Sequence, residues 1–294
     1  MRSSLTLLML LLLCTVPACA QDNGNHNHTT PAATPADADP MVSQDWAKAR
    51  LAKSPRHQEW VTVKNGTREV NSFVVYPEVK NKATAVIVIH EIFGMSDWVQ
   101  SLTDQLAEAG YIAIAPDLLS GMGPNGGGTS SLDRNAVGQA IRDLPPDQIT
   151  ADLNAVFAYV SKLPAANGKV LVTGYCWGGG QSFRYATNNP NIKAAFVFYG
   201  PAPAAADGTP DKAALAKITA PVYGFYAGND ARINATLPKT IEAMTELKKT
   251  FEPVTYEGAG HGFMRAGEAP DTNEANKKAR DDAWARWKKL LAAI

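Results

Sequence analysis

The sequence predicts an α/β fold, with a mostly parallel central sheet flanked by helices. Three observations carry that prediction. From about Val42 onward, short β-branched runs alternate with segments of helical periodicity, the pattern of strands joined by crossover helices. Ala85-Val86-Ile87-Val88-Ile89 is apolar without alternation, as a strand covered on both faces must be. Val170-Leu171-Val172-Thr173 is a second such run, and it passes through a cluster of glycines directly into a helical segment.

The elements follow in order. Residues 45–53 read as a short helix stopped before Pro55. Trp60-Val61-Thr62-Val63, an Asn65-Gly66 turn and residues 70–76 read as an antiparallel hairpin. The strand at 85–89 ends in His90-Glu91-Ile92-Phe93-Gly94. A helix at 98–109 closes on Gly110 at its C′ position, and a strand at 111–115 stops at Pro116-Asp117. Residues 118–130 form a Gly-rich loop around Gly126-Gly127-Gly128. No Lys-Ser or Lys-Thr pair follows, so it is not a phosphate cradle; it is expected to be a mobile loop near the mouth of a site. Helices at 132–143 and 146–162 come next, the second with Leu153, Val156, Phe157 and Val160 on one face. Strands at 194–199, 221–227 and 252–256, an irregular stretch at 201–210, and helices at 239–250 and 273–292 complete the body. There is no internal repeat, and residues 45–294 suit one domain.

Lys and Arg number 28, as do Asp and Glu. That balance gives no electrostatic reason to expect nucleic acid or an anionic membrane surface as partner. Residues 1–20 read as an export signal: Arg2 is a minimal charged region, residues 5–13 an apolar core, and Ala18-Cys19-Ala20 a small-residue cleavage site. The apolar core is too short to span a bilayer. Val16-Pro17-Ala18-Cys19 also resembles a bacterial lipobox, in which a lipid on Cys19 would tether the chain to a membrane. Both readings stand, and each places the protein in the periplasm or on a bacterial membrane. Residues 21–44 are expected to be a disordered polar linker. His26 and His28 within it read as incidental, and no metal site is assigned. Cys14 and Cys19 fall in the leader, which leaves Cys176 as the one thiol of the body. An unpaired thiol in an exported protein is either well buried or kept for its reactivity.

Gly174-Tyr175-Cys176-Trp177-Gly178-Gly179 has the G-x-nucleophile-x-G form of a nucleophile elbow, with cysteine in the place of serine. Side chains two residues either side of the nucleophile would strike the neighbouring strand and helix. The following helix turns its free N–H groups and positive end toward the sulfur, which is expected to lower the thiol pKa. The alternative is a buried structural cysteine in a strand-to-helix turn.

In open parallel sheets, function collects at the carboxyl ends of the strands. Four such ends carry candidate groups here: Glu91, Cys176, Asp230 and His261. Nucleophile, acid, histidine is the chain order of α/β-hydrolases. The residue types suit the chemistry, with a thiolate as nucleophile, an imidazole to move its proton and a carboxylate to fix the imidazole tautomer. Taken singly, Asp230 also reads as a helix N-cap and His261 as a surface histidine. Gly94-Met95-Ser96-Asp97-Trp98 lacks the second glycine of a competing elbow.

Tyr175-Cys176-Trp177-Gly178-Gly179, His90-Glu91-Ile92-Phe93-Gly94 and Ala259-Gly260-His261-Gly262-Phe263 together resemble the dienelactone hydrolase family, from about Arg56 to the carboxyl end. The resemblance implies an α/β-hydrolase fold and a Cys-His-Asp triad acting on lactones and related esters, with no metal or organic cofactor. It implies Cys176 as nucleophile, Asp230 as orienting acid and His261 as base. Glu91 matches the glutamate that contacts the thiol and helps generate thiolate when substrate binds, and the backbone N–H groups of Trp177 and Ile92 form the oxyanion hole. Arg265 and Arg134 match arginines that grip a substrate carboxylate. His90 is expected to have a satisfied hydrogen-bonding role. Tyr175, Trp177, Phe93 and Phe263 are expected to pack around the thiol or wall an apolar pocket. The leader, linker, amino-terminal helix and Gly-rich loop depart from the family. The expectation is an exported hydrolase of a small-molecule ester or lactone. The other readings are a non-catalytic binding protein on the same scaffold, and an acyltransferase.

Overall fold

The computed structural model describes residues 44–294. The export signal, Cys19 and all of the linker except Gln44 lie outside the described residues. The predicted architecture forms. Strands β1 (Gln58–Asn65), β2 (Arg68–Val75), β3 (Ala83–Ile89), β4 (Ile112–Pro116), β5 (Ala166–Tyr175), β6 (Ala195–Phe198), β7 (Val222–Ala227) and β8 (Phe251–Tyr256) make one sheet in the order β1-β2-β4-β3-β5-β6-β7-β8. The pairings β1–β2 and β2–β4 are antiparallel, and every pairing from β4–β3 to β7–β8 is parallel. The helices are α1 (Asp45–Ala52), α2 (Asp97–Glu108), α3 (Arg134–Asp143), α4 (Pro146–Val160), α5 (Trp177–Asn188), α6 (Lys212–Leu215), α7 (Ala231–Asn234), α8 (Leu237–Glu246), α9 (Phe263–Ala266) and α10 (Glu274–Ala292).

The unalternating strands are buried on both faces because side chains of odd and even number enter different cores. Ile87, Ile89, Val170 and Val172 pack with Leu153 and Val156 of α4 and Phe183 of α5. Val86, Val88 and Leu171 pack with Trp98 and Leu102 of α2 and Trp287 of α10. Each such aliphatic side chain contributes roughly 1.5–3 kcal/mol when fully buried. This two-sided packing holds the carboxyl ends of β3, β5, β6 and β7 side by side, β8 pairs beyond β7, and the candidate residues follow β3, β5, β7 and β8.

Four local expectations are adjusted. In the hairpin, Asn65 pairs with Arg68, so the two turn residues are Gly66 and Thr67, with Gly66 at a φ of 61°. Gln44 belongs to the folded body rather than the linker: it is buried, and its Oε1 accepts the Trp98 N–H at 2.7 Å. The helix expected at 239–250 stops at Glu246, because Lys248 turns left-handed (φ 55°) and Lys249 N–H bonds back to Met244 O at 2.8 Å. The Gly-rich loop, expected to be mobile, has its two ends anchored. Asp117 accepts the N–H (2.8 Å) and hydroxyl (2.7 Å) of Thr129, and Arg68 donates to the carbonyls of Leu118 and Ser120 at 2.9 and 2.7 Å.

Candidate active site

Strand β5 delivers Cys176 to its carboxyl end and α5 begins at the next residue. Cys176 adopts φ 55°, ψ −116°, a conformation that costs an L residue about 1–3 kcal/mol and persists only where its surroundings enforce it. The glycines supply the room. A Cβ on Gly174 would lie 1.9 Å from the Gly178 carbonyl oxygen, and one on Gly178 would lie 2.3 Å from the His90 oxygen and 2.5 Å from that of Ile89. A Cβ on Gly179 would lie 2.3 Å from Phe198 O. The elbow is thus wedged between helix and strands with no space for a methyl group, as the sequence predicts.

The thiol itself departs from expectation. Its pKa is not lowered but pushed up to about 11, first by burial and then by the negative charge of Glu91. The backbone N–H groups of Trp177 and Ile92 and the guanidinium of Arg232 pull the other way and lose. The helix amino terminus acts on the sulfur as anticipated; desolvation outweighs it. Cys176 at rest is therefore a neutral thiol with two backbone donors beside it. No hydrogen bond joins it to His261 or Glu91 among the described residues.

Asp230 and His261 are brought together. The imidazole Nδ1 lies 2.5 Å from Asp230 Oδ2, the carboxylate being nearly sealed and the imidazole about one-third exposed, at 32%. With Nδ1–H donating to the carboxylate, Nε2 is left unprotonated. The N-cap reading of Asp230 holds: its Oδ1 accepts the Ile233 N–H at 3.3 Å and starts α7. One oxygen orients the imidazole and the other caps a helix, so the carboxylate is fixed from two directions. The loop carrying His261 is braced from α10, where Asn276 Oδ1 accepts the Gly260 N–H at 2.9 Å.

Glu91 and Arg265 find each other. Arg265 Nε donates to Glu91 Oε2 at 2.7 Å, and the two side chains are 16% and 2% exposed. The glutamate expected to touch the thiol and the arginine expected to grip substrate are thus paired in this structure, each occupying the other. Arg265 also sits over the Phe93 ring, 5.4 Å from its centroid. Arg134 opens α3 and lines a cavity of about 330 Å³ with Phe93, Met95, Thr129 and Leu132. It does not join the Glu91–Arg265 pair. Among the described residues, no group of three or more His, Cys, Asp or Glu side chains is arranged to hold a metal ion.

Tyr199 is the neighbour that the sequence reading passes over. It directly follows β6, is fully buried with φ 40°, and meets the His261 ring edge-on at 5.1 Å between centroids. Its signal was available, since Phe198-Tyr199-Gly200 is a fifth strand end of the same sheet.

The mostly parallel sheet, strained strand-to-helix elbow and flanking helices are those of the α/β-hydrolase fold, with cysteine at the elbow. The chain belongs to the dienelactone hydrolase family, whose model matches residues 70–294. A protein of Saccharolobus solfataricus named "Putative carboxymethylenebutenolidase" is 31% identical over 259 residues, covering 77% of this chain and 95% of that protein. One of the same name from Salmonella typhi is 32% identical over 206 residues, covering 68% and 74%. Among solved structures, a "Putative Dienelactone Hydrolase" of Klebsiella pneumoniae superposes with a TM-score of 0.70 at 26% identity, over 81% of this chain and 99% of that one.

Proposed function

We propose that this chain is an exported hydrolase of carboxylic esters and lactones that works through Cys176, His261 and Asp230 and a thioester acyl-enzyme. The observation that carries the reading is the elbow: a strained cysteine, two backbone N–H groups beside its sulfur, and an aspartate-oriented histidine on the neighbouring strand ends. Family membership and the carboxymethylenebutenolidase relatives support the ester or lactone bond as target. The amino-terminal leader supports export, and Cys19 is the place for a lipid tether.

In this mechanism, a substrate carboxylate pairs with Arg265, with Arg134 beyond it, and frees Glu91 to take the thiol proton. The Cys176 thiolate attacks the carbonyl carbon, and the N–H groups of Trp177 and Ile92 hold the oxyanion. Collapse breaks the C–O bond and leaves a thioester, and the departing oxygen takes the proton held by Glu91. His261 Nε2 then takes a proton from water as it attacks the thioester carbon; the C–S bond breaks, the acid leaves, and the sulfur takes that proton from His261. A thiolate is itself readily expelled from a tetrahedral adduct, so good leaving groups such as enolates and aryl oxides fit better than amides. The test is hydrolysis of p-nitrophenyl acetate and of a dienelactone by the parent beside Cys176→Ala and Cys176→Ser. Turnover in the parent that vanishes in the alanine variant supports thiol catalysis. A parent without turnover, or full activity in Cys176→Ala, overturns it.

A further inference from the structure

His90 has no exposed surface and belongs to neither the triad nor the substrate-binding set. Its Nδ1 lies 2.8 Å from the carbonyl oxygen of Glu91. A carbonyl only accepts, so Nδ1 carries the proton and Nε2 the lone pair. Nε2 has no hydrogen-bond partner among the described residues, so only half of the expected hydrogen-bonding role is satisfied. Burial pushes the imidazole pKa down and keeps the ring neutral. The Nδ1–H tautomer is therefore held by backbone carbonyls, that of Glu91 at 2.8 Å and that of His90 itself.

That contact acts on the peptide unit it touches. The Glu91–Ile92 unit is trans and planar, so its C=O and N–H point in opposite directions. The carbonyl is held by His90 Nδ1–H and by the Gly94 N–H at 3.1 Å. The amide at the other end is Ile92 N–H, one of the two donors beside the Cys176 sulfur. The second donor is the backbone N–H of Trp177, whose indole stacks on the His90 ring with centroids 5.5 Å apart and planes 15° apart. Gly178, the next residue, presses against the backbone of Ile89 and His90 with no room for a methyl group. One imidazole therefore touches both halves of the donor pair, by hydrogen bond on the strand side and by ring face on the helix side.

From this juxtaposition we infer that His90 is a positioning residue of the oxyanion hole: its Nδ1–H aims the Ile92 N–H through the Glu91 carbonyl, and its ring seats Trp177. The inference rests on the cysteine-hydrolase reading above. The clamp makes the donors rigid before substrate arrives, which is the condition for stabilising charge that develops only in the transition state.

The first test leaves His90 itself in place. In protein labelled with ¹⁵N-histidine, the His90 ring is expected as the Nδ1–H tautomer, its resonance identified as the one that survives substitution of His26, His28, His57 and His261. An Nε2–H tautomer overturns the clamp. The second test separates ring from donor. H90F keeps a ring against Trp177 and removes the donor; H90N places an amide N–H near the Nδ1 position and removes the ring. Per folded molecule, judged by circular dichroism, H90F is expected to lose about 10- to 100-fold in kcat on p-nitrophenyl acetate with KM within about threefold, the signature of a weakened transition-state donor. H90N is expected to recover at least about fivefold of that loss. A folded H90F with the parental kcat, or an H90N no better than H90F, overturns the inference. If neither variant folds, the tautomer decides. A parent without turnover refutes the hydrolase reading, and the tautomer still decides the clamp.

Discussion

Arg265 Nε stands 2.7 Å from Glu91 Oε2 and ties α9 to the end of β3 through a nearly buried ion pair. Each partner neutralises the other in the resting state. The charge that would recognise an anionic substrate and the charge that would deprotonate the thiol are stored as one contact. Under the proposed mechanism a substrate carboxylate separates them, so the pair favours anionic substrates over neutral esters such as p-nitrophenyl acetate without barring the latter.

Glu91→Gln removes one side of this pair. Arg265 is left buried with an unpaired charge, and the protein is expected to lose roughly 3 kcal/mol of stability by thermal or urea unfolding. Because Glu91 raises the thiol pKa, the variant is also expected to react faster with iodoacetamide at neutral pH while hydrolysing esters more slowly. Unchanged alkylation would show that Glu91 exerts no field on Cys176.

The thiol should titrate late. In the parent, the rate of Cys176 alkylation is expected to climb with pH with its midpoint near pH 11; a midpoint near 9 contradicts the burial argument. The same shift bears on stability. The folded pKa is raised from the ordinary 9.0 to about 11, so the folded state favours the protonated thiol. That contribution is intact below pH 9 and is lost as pH rises through 11, at most about 3 kcal/mol. Cys176→Ala is expected to lose less stability than the parent over that interval, measured by urea unfolding at fixed pH values.

Gly174 tolerates no side chain. A Cβ there would sit 1.9 Å from the Gly178 carbonyl oxygen, a backbone atom that moves only if α5 leaves the strand. Gly174→Ala is expected to cost about 3 kcal/mol or more and to remove activity. A stable Gly174→Ala with native spectra would show that the elbow has slack.

Asn276 holds the histidine loop from a distance in sequence. Asn276→Ala leaves the Gly260 N–H without its acceptor, and the expected cost is about 1–3 kcal/mol. His261 should lose precision rather than identity, so kcat falls while alkylation of Cys176 is unchanged. A variant with normal kcat would mean the loop holds its own shape.

The sheet was legible because β3 and β5 are runs that only two-sided burial explains. The elbow was legible because its glycines answer to a steric demand that spacing alone reveals. The strand-end rule found Glu91, Asp230 and His261, though not Tyr199, whose residue type carries no motif. The helix end at Glu246 escaped because a lysine in the left-handed region leaves no mark like that of glycine. The thiol pKa was misjudged for a physical reason. A helix terminus is visible in sequence, whereas the depth at which the sulfur is buried and the proximity of Glu91 exist only in three dimensions. Pinning of the Gly-rich loop by Asp117 and Arg68 was hidden for the same reason, since the bonds join residues remote in the chain.

The brace from Asn276 to the loop of His261 has a consequence for how the protein comes into being. Glu91, Cys176, Asp230, His261 and Asn276 are spread over nearly the whole folded body, and each depends on another far along the chain. No fragment ending before α10 contains a finished site. The cysteine of a nascent chain is an ordinary thiol, without the burial or the neighbouring Glu91 that raise its pKa in the folded protein. Chemical competence therefore arrives late and all at once, and a single cut ahead of the last helix takes the brace of the histidine loop away.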